Sequence, residues 1–530
     1  MWESARKERE LESPEVMGRR QVFESLSGLL LVLFVAMISS TVVSIALPRI
    51  IGSLNGTQTQ YTWVVTATLL TMTASTPIWG KLADLFNKKL LLQVGITIFV
   101  TGSLLAGFSQ NVGELIAARA FQGLGVGALQ SLVQVVIAAI IPPRERGKYN
   151  GYLGGVMALA TVGGPLLGGL IVDVSWLGWR WCFFVGVPIA VIAFIVLQKT
   201  LHLPHVRRED AKVDYLGATL IAAGVSLLLI WVSFVGNSFA WLSWQTGAMV
   251  GGSLVLLGAA IAVESRVPEP VVPLRIVASR TPALAILASV AVGMAMFGGA
   301  VFLGQYFQVG RGYSPTEAGL LTIPMMAGVL VSSTISGRLI SRVGKIKPYL
   351  IAGTTILVLG FFGLGLMDHA TPLWQVGGAM LVVGIGVGMT MQNLVLAVQN
   401  AVPLSDVGAA TGSITFFRSL GGTVGVSVLG AVLANRVTAD LNAAFGGAMP
   451  QSGSGGTSAL NLKALPPQVR EVVMTVYGDA TAHIFLISAA VGIVGVLAAL
   501  ALKPIRLRTT LDLKPQTAVE DADSVPTSAR

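Results

Sequence analysis

Gly80-Lys81-Leu82-Ala83-Asp84-Leu85-Phe86-Asn87-Lys88-Lys89 lies between two long apolar segments and packs Lys81, Lys88, Lys89 and the acid Asp84 into one short stretch. The pattern returns in the second half as Gly337-Arg338-Leu339-Ile340-Ser341-Arg342-Val343-Gly344-Lys345-Ile346. Gly337 falls on Gly80, Arg338 on Lys81 and Lys345 on Lys88. A charged hairpin that occurs twice between apolar helices points to two homologous membrane halves. The copies stand further apart than the roughly 200 residues that six spans of ~20 residues with short loops need. The surplus places one additional helix pair between the halves.

Composition agrees with that reading. Charged residues make up 11% of the 530-residue chain and apolar residues 53%, where a soluble domain carries about twice that share of charge. Apolar segments of spanning length recur throughout, so the expected fold class is an all-α, polytopic membrane protein. The 62 glycines suit close helix packing in lipid. A net charge of +10 raises nucleic acid as a partner, but the cations cluster in loops at alternate ends of the spans, which is the positive-inside pattern. Only Arg49, Arg180, Arg311, Arg436, Lys463 and Arg470 fall on the opposite side, and Arg119 and Arg418 lie inside spans. Both termini are therefore expected in the cytoplasm. Cys182 is the one cysteine, which excludes an intramolecular disulfide. The first apolar segment is too long for a cleavable signal and lacks a small-residue cleavage site.

Fourteen spans are expected between residues 26 and 502. They divide into a tail (1–25), a six-helix bundle (26–200), an inserted pair at 215–236 and 245–263 with charged linkers (201–282), a second six-helix bundle (283–510) and a polar, disordered tail (511–530). The second bundle contains a long outer loop, 435–480, with a Gly/Ser-rich centre that reads as flexible and a stretch, Pro466–Tyr477, suited to a short interfacial helix.

Asp84 at a helix end suits a conformational latch, either to a neighbouring helix N-terminus or to a cation across the halves. Gly80, Lys88 and Lys89 belong to that latch, with Arg338, Arg342 and Lys345 in the second copy. Ser341 stands where the second acid would be, so the latch is asymmetric. Asn87 takes a glycine-like turn position and tolerates positive φ. Arg119 and Gln122 share one helix face. A cation inside a span is costly by a few kcal/mol, so this face is expected to line a wet cavity, the bland alternative being an arginine that snorkels to the outer surface. Gly151/Gly155 and Gly164/Gly168 are small-residue pairs that let a helix approach, and Pro165, followed by Gly168-Gly169, bends the span.

The hairpin, the Arg119–Gly123 stretch and Gly164-Pro165-x-x-Gly168-Gly169 together resemble the major facilitator superfamily, the last motif being similar to that of its drug:proton antiporters. Ser40-Thr41-Val42-Val43-Ser44-Ile45-Ala46-Leu47-Pro48, Trp179-Arg180-Trp181 with Pro188, Pro270-x-x-Pro273-Leu274 and Phe416-Phe417-Arg418 resemble its fourteen-helix multidrug exporter branch. The resemblance covers nearly all of residues 25–510. It implies two six-helix bundles with an inserted pair, rocker-switch alternating access, proton-driven export and a monomer.

One departure stands out. Many members of that family carry an acid early in the first helix, and this chain has Ser39 there. An embedded carboxylate is the natural proton carrier, yet no Asp or Glu lies near the centre of any expected span. Asp84, Glu114 and Asp173 are the coupling candidates left. Ser39, Arg119, Gln122, Gln305, Gln392, Asn393 and Arg418 are candidates to line a substrate cavity, although amides at helical spacing serve equally well to join helices. No nucleotide-binding motif, metal-ligand cluster or nucleophile–base pair is present in the sequence, so no cofactor, metal or enzyme activity is expected. The expected partners are lipophilic small molecules, protons and the bilayer. Export of a lipid, siderophore or self-made antibiotic, and a transport-inactive receptor or scaffold, are the alternatives.

Overall fold

A computed structural model describes residues 19–174, 177–201, 203, 214–236, 238–445 and 467–509. Among the described residues fourteen long helices run in sequence order. The first six are α1 (Arg19–Ser53), α2 (Gln58–Leu85), α3 (Lys88–Phe108), α4 (Val112–Ile140), α5 (Asn150–Asp173) and α6 (Gly186–Thr200). The central pair is α7 (Tyr215–Phe234) and α8 (Trp244–Glu264). The last six are α9 (Arg280–Gln305), α10 (Ile323–Val343), α11 (Lys347–Gly365), α12 (Leu373–Ala401), α13 (Val407–Ala444) and α14 (Pro467–Ala501).

Among the described residues thirteen helical segments are long and apolar enough to cross a membrane. The remaining long helix is α2. Its 28 residues extend about 42 Å at 1.5 Å per residue, but threonines dilute its apolar content. Thr68, Thr71 and Thr76 return their hydroxyls to carbonyls one turn back, at 3.4, 3.0 and 2.7 Å. Hydroxyls satisfied within their own helix can stand in hydrocarbon. The protein is a multi-pass membrane protein of all-α architecture.

The packing map repeats. In the first half α2 and α3 lie against α4, and α1 against α5 and α6. In the second, α10 and α11 lie against α12, and α9 against α13 and α14. The halves meet where α2 packs on α13 and α5 on α10. Ala218, Ile221, Val225 and Leu229 of α7 join Phe416 of α13, with Leu70 and Ile78 of α2 packed alongside. The inserted helix α7 thus covers a seam between the halves. Its partner α8 is peripheral, held to α7 partly by the Ser253 hydroxyl, which donates to the Gly224 carbonyl at 2.8 Å.

Four expectations are corrected. The outer stretch 435–480 is helical at both ends: α13 continues to Ala444, and α14 begins at Pro467 and runs unbroken to Ala501. Pro466–Tyr477 is therefore no separate interfacial helix, because nothing between Pro467 and Tyr477 breaks the backbone ladder. The Gly/Ser-rich centre and residues 1–18 and 510–530 fall outside the described residues, and the expected first tail is shortened, because residues 19–25 already belong to α1. Asn87 has φ −62°, and its side chain caps α3 by accepting from the Lys89 and Leu90 amides at 2.9 and 3.3 Å. Capping explains an Asn there. Gly344, in the second copy, is the residue with positive φ, 73°.

Candidate functional site

The first four amides of any helix lack intrahelical acceptors and carry the positive end of the dipole. In α13 those amides begin at Val407, and the N-cap residue Asp406 makes no capping bond with its side chain. Asp84 of α2 supplies the cap from the other half. It is buried, and its two oxygens accept from the Gly408 and Ala409 amides, each at 2.7 Å. Close backbone approach makes this possible: a Cβ on Gly80 would sit 2.5 Å from the Gly408 carbonyl oxygen.

The second hairpin is placed alike and bonded differently. A Cβ on Gly337 would lie 1.9 Å from the Gly147 carbonyl oxygen. The Ser341 hydroxyl is buried beside Gly147 and has no hydrogen-bond partner among the described residues. The contact is made instead by Arg144, whose guanidinium donates to the Ser341 and Arg342 carbonyls, both at 3.3 Å. Arg338, Arg342 and Lys345 are exposed. Lys89 donates to the Gln198 carbonyl at 2.7 Å within the first half. Lys88 stands near enough to act on the charge of Asp84.

Between the two hairpins, further bonds join the halves. Arg146 Nη1 donates to Gln399 Oε1 at 3.0 Å, and Asn150 Nδ2 to Asn393 Oδ1 at 2.9 Å. Asn393 in turn donates to Ser336 at 3.4 Å. Gln392 is buried beside Arg146 and Gln399. At this end of the bundle the halves are bonded shut.

A second polar node lies inside the first half. Arg119 donates to Gln122, and Gln122 Nε2 donates to the hydroxyls of Ser103 at 2.7 Å and Ser39 at 3.2 Å. Thr68 adds a bond to the Arg119 carbonyl at 3.2 Å. Helices α1 to α4 all converge here. Arg119 is 5% exposed, and its Nε has no partner. The snorkelling alternative is overturned, because a snorkelling guanidinium would reach water. Arg418 of α13 is likewise 5% exposed, with Nη1 unpartnered. Among the described residues neither arginine is ion-paired with an acid.

Comparison with known proteins fits this geometry. The family described as Major Facilitator Superfamily matches residues 29–426. The chain belongs to the major facilitator superfamily. It is 35% identical over 410 residues to the multidrug transporter protein MdtP of Bacillus subtilis, covering 77% of this chain and 74% of that protein. An uncharacterized MFS-type transporter of Mycobacterium tuberculosis is 35% identical over 474 residues, covering 89% and 68%. The solved structure of the major facilitator proton:xylose symporter XylE superposes with a TM-score of 0.60 at 17% identity, covering 91% and 95%.

The remaining candidates spread over this major facilitator fold. Glu114 is exposed at the start of α4, where its carboxylate accepts from the Gln110 amide and Asn111 Nδ2 at 2.7 and 2.8 Å; it serves a helix cap. The side chains of Asp173 and Pro165 and the surroundings of Gly169 lie outside the described residues. Gly168 is buried, and Gly164 packs on Thr41, whose hydroxyl donates to the Ala160 carbonyl at 3.1 Å. Gly155 faces Leu330 of α10. One end of α5 therefore meets the other half, while its middle meets α1. Gln305 closes α9 and accepts from the Tyr477 hydroxyl at 2.9 Å.

Bonded residues that escaped the sequence reading include Ser103, Arg144, Arg146, Asn150 and Glu269, the last paired with the buried Lys81. A signal for the Arg146 region was present. Pro142–Gly147 and Pro403–Gly408 are matching Pro-to-Gly loops, and each delivers its glycine to one hairpin.

Proposed function

We propose that this chain is a secondary active exporter of lipophilic or amphipathic small molecules, a multidrug efflux transporter of the cell membrane. It works by alternating access, as a monomer, with both termini in the cytoplasm. The observation that carries this is the Asp84 carboxylate capping α13 across the halves. Such a bond must break whenever the halves rock apart at that end, so it weights the closed state. The positive-inside pattern of the charge-rich hairpins supports a cytoplasmic position for that end, and on that reading the conformation is the one closed to the cytoplasm. The cargo class follows from the likeness to MdtP and to the efflux pump dotC of Dothistroma septosporum, 31% identical over 497 residues. Inward proton movement drives the cycle, and Asp84 is the buried acid best placed to take part. Drug resistance of cells expressing the protein is the corresponding phenotype.

A second reading keeps the fold and changes the cargo to neutral or anionic molecules. Arg119 and Arg418, buried without acid partners among the described residues, favour it, as does Ser39 bonded to Gln122 in place of an embedded carboxylate. Reconstitution into proteoliposomes with an imposed pH gradient separates the readings. Cargo-driven proton flux with lipophilic cations supports the first. Flux confined to neutral and anionic probes supports the second. Transport indifferent to the pH gradient would sink proton coupling under either.

A further inference from the structure

A cavity of about 260 Å3 lies away from the bonded seam, between the inserted pair and the second half. Its walls come from the end of α7 and the turn after it, from α9 and from α13, with Tyr477 of α14. No described residue of α1–α6 contributes, so this is not the space between the halves. Trp241 and Phe302 stand in the lining with Gln305, Ser427 and Asn435, and among the described residues no side chain of Asp, Glu, Lys or Arg does.

The polar part is built. Tyr477 is 2% exposed and donates to Gln305 Oε1 at 2.9 Å, which fixes the amide and leaves Nε2 able to donate into the cavity. Immediately after Gln305, α9 widens into a π turn, Tyr306–Gly310. The aromatic part is also fixed: Trp241 stands edge-on to Trp231 with centroids 5.9 Å apart. Gly236, with φ 85°, turns the chain between α7 and Trp241.

We infer that this cavity is a second ligand site, formed only because the inserted pair is present, and that it takes an uncharged amphiphile. The ligand's hydroxyl or carbonyl meets Gln305 and its apolar body lies against Phe302 and Trp241. A lining with no ionic partner rejects a charged headgroup by its desolvation cost. The volume approaches the lower end of small-molecule pockets, roughly 300 Å3. The ligand is either a neutral lipid entering from the bilayer or a neutral cargo molecule. The site does not depend on the export reading.

The test uses the full chain in nanodiscs and a photoactivatable diazirine derivative of octanol, with adducts mapped by mass spectrometry. Saturable labelling at Trp241, Phe302 or Tyr477 is expected. Gly430 lines the cavity, and a Cβ there would meet Phe302 at an ordinary 3.7 Å. Gly430→Leu therefore fills the space and is expected to cut labelling about tenfold, the equivalent of ~1.4 kcal/mol. If that variant fails to fold, Gln305→Leu keeps the volume and removes the donor, with a similar loss expected. Competition by a monoacylglycerol alone identifies a lipid site, and competition by a neutral aromatic drug alone identifies a cargo site. Non-saturable labelling, labelling unchanged in the folded variants, or equal competition by tetraphenylphosphonium would overturn the inference.

Discussion

Asp84 caps Ala409 at 2.7 Å although the two residues belong to different halves of the molecule. The bond sits at the N-terminus of α13, where a negative charge is favoured by the dipole and the orphan amides together. Its pseudo-symmetric counterpart at Ser341 has no such bond. Closure of this end therefore rests on a carboxylate on one side and on Arg144, Arg146 and Asn150 on the other.

Ser341→Asp should strengthen the weaker side. The new carboxylate would lie close to Arg144, which already bonds the Ser341 carbonyl. A charge-assisted bond contributes about 1.5–3 kcal/mol, so opening should become roughly 10-fold rarer or more. Alkylation of Gln392→Cys, in a background with Cys182 replaced by Ala, reads the opening rate. Unchanged alkylation would show that Arg144 does not respond to charge at position 341.

The Arg146–Gln399 bond offers an independent measure. Gln399→Leu leaves one guanidinium donor without its acceptor, at a cost of about 1–3 kcal/mol to the closed state. Alkylation of Gln392→Cys should accelerate about 5- to 150-fold. Combining Gln399→Leu with Arg146→Ala should cost less than the sum of the two, because neighbours in one network are not additive. Full additivity would mean that the pair does not interact.

Lys81 and Glu269 tie the hairpin to the linker between α8 and α9. Lys81 is buried, so Glu269→Gln strands its charge and should lower the melting temperature measurably in detergent. The double exchange Lys81→Glu with Glu269→Lys should recover part of the loss. No recovery would assign the effect of the single change to packing of the lysine stem instead.

The node around Gln122 makes a stability prediction. Gln122→Leu removes the acceptor of Arg119 and the donor to Ser39 and Ser103 at once. A buried guanidinium already missing one partner would then lose another. About 1–3 kcal/mol of destabilisation is expected, seen as a lower melting temperature. Ser103→Ala should cost less, since it deletes a neutral bond only.

Much of this was legible in sequence because it rests on local pattern. Spanning helices announce themselves by composition, and the hairpin by its repeat. An acid at a helix end beside cations suggested a contact with a helix N-terminus or with a cation across the halves, and the first of these is the contact Asp84 makes. The pairing of Asn150 with Asn393 was not readable: each is one amide among several, and only the packing of α5 and α12 at the closed end brings them together. Ser103 is a lone serine in an apolar helix, with no periodic signal to single it out. The length of α13 was hidden for a different reason, because its outer turns are polar enough to read as loop.

The most direct test of the account is the distance across the closed end. Spin labels at Leu90 and Arg342, both exposed and in different halves, would be measured by pulsed electron resonance in nanodiscs, with Cys182 replaced by Ala. The account expects one short distance population in the parent, and a second, longer population when Asp84→Asn leaves the α13 amides with a weaker cap. An unchanged distribution in a folded Asp84→Asn protein would contradict the claim that Asp84 holds this end shut.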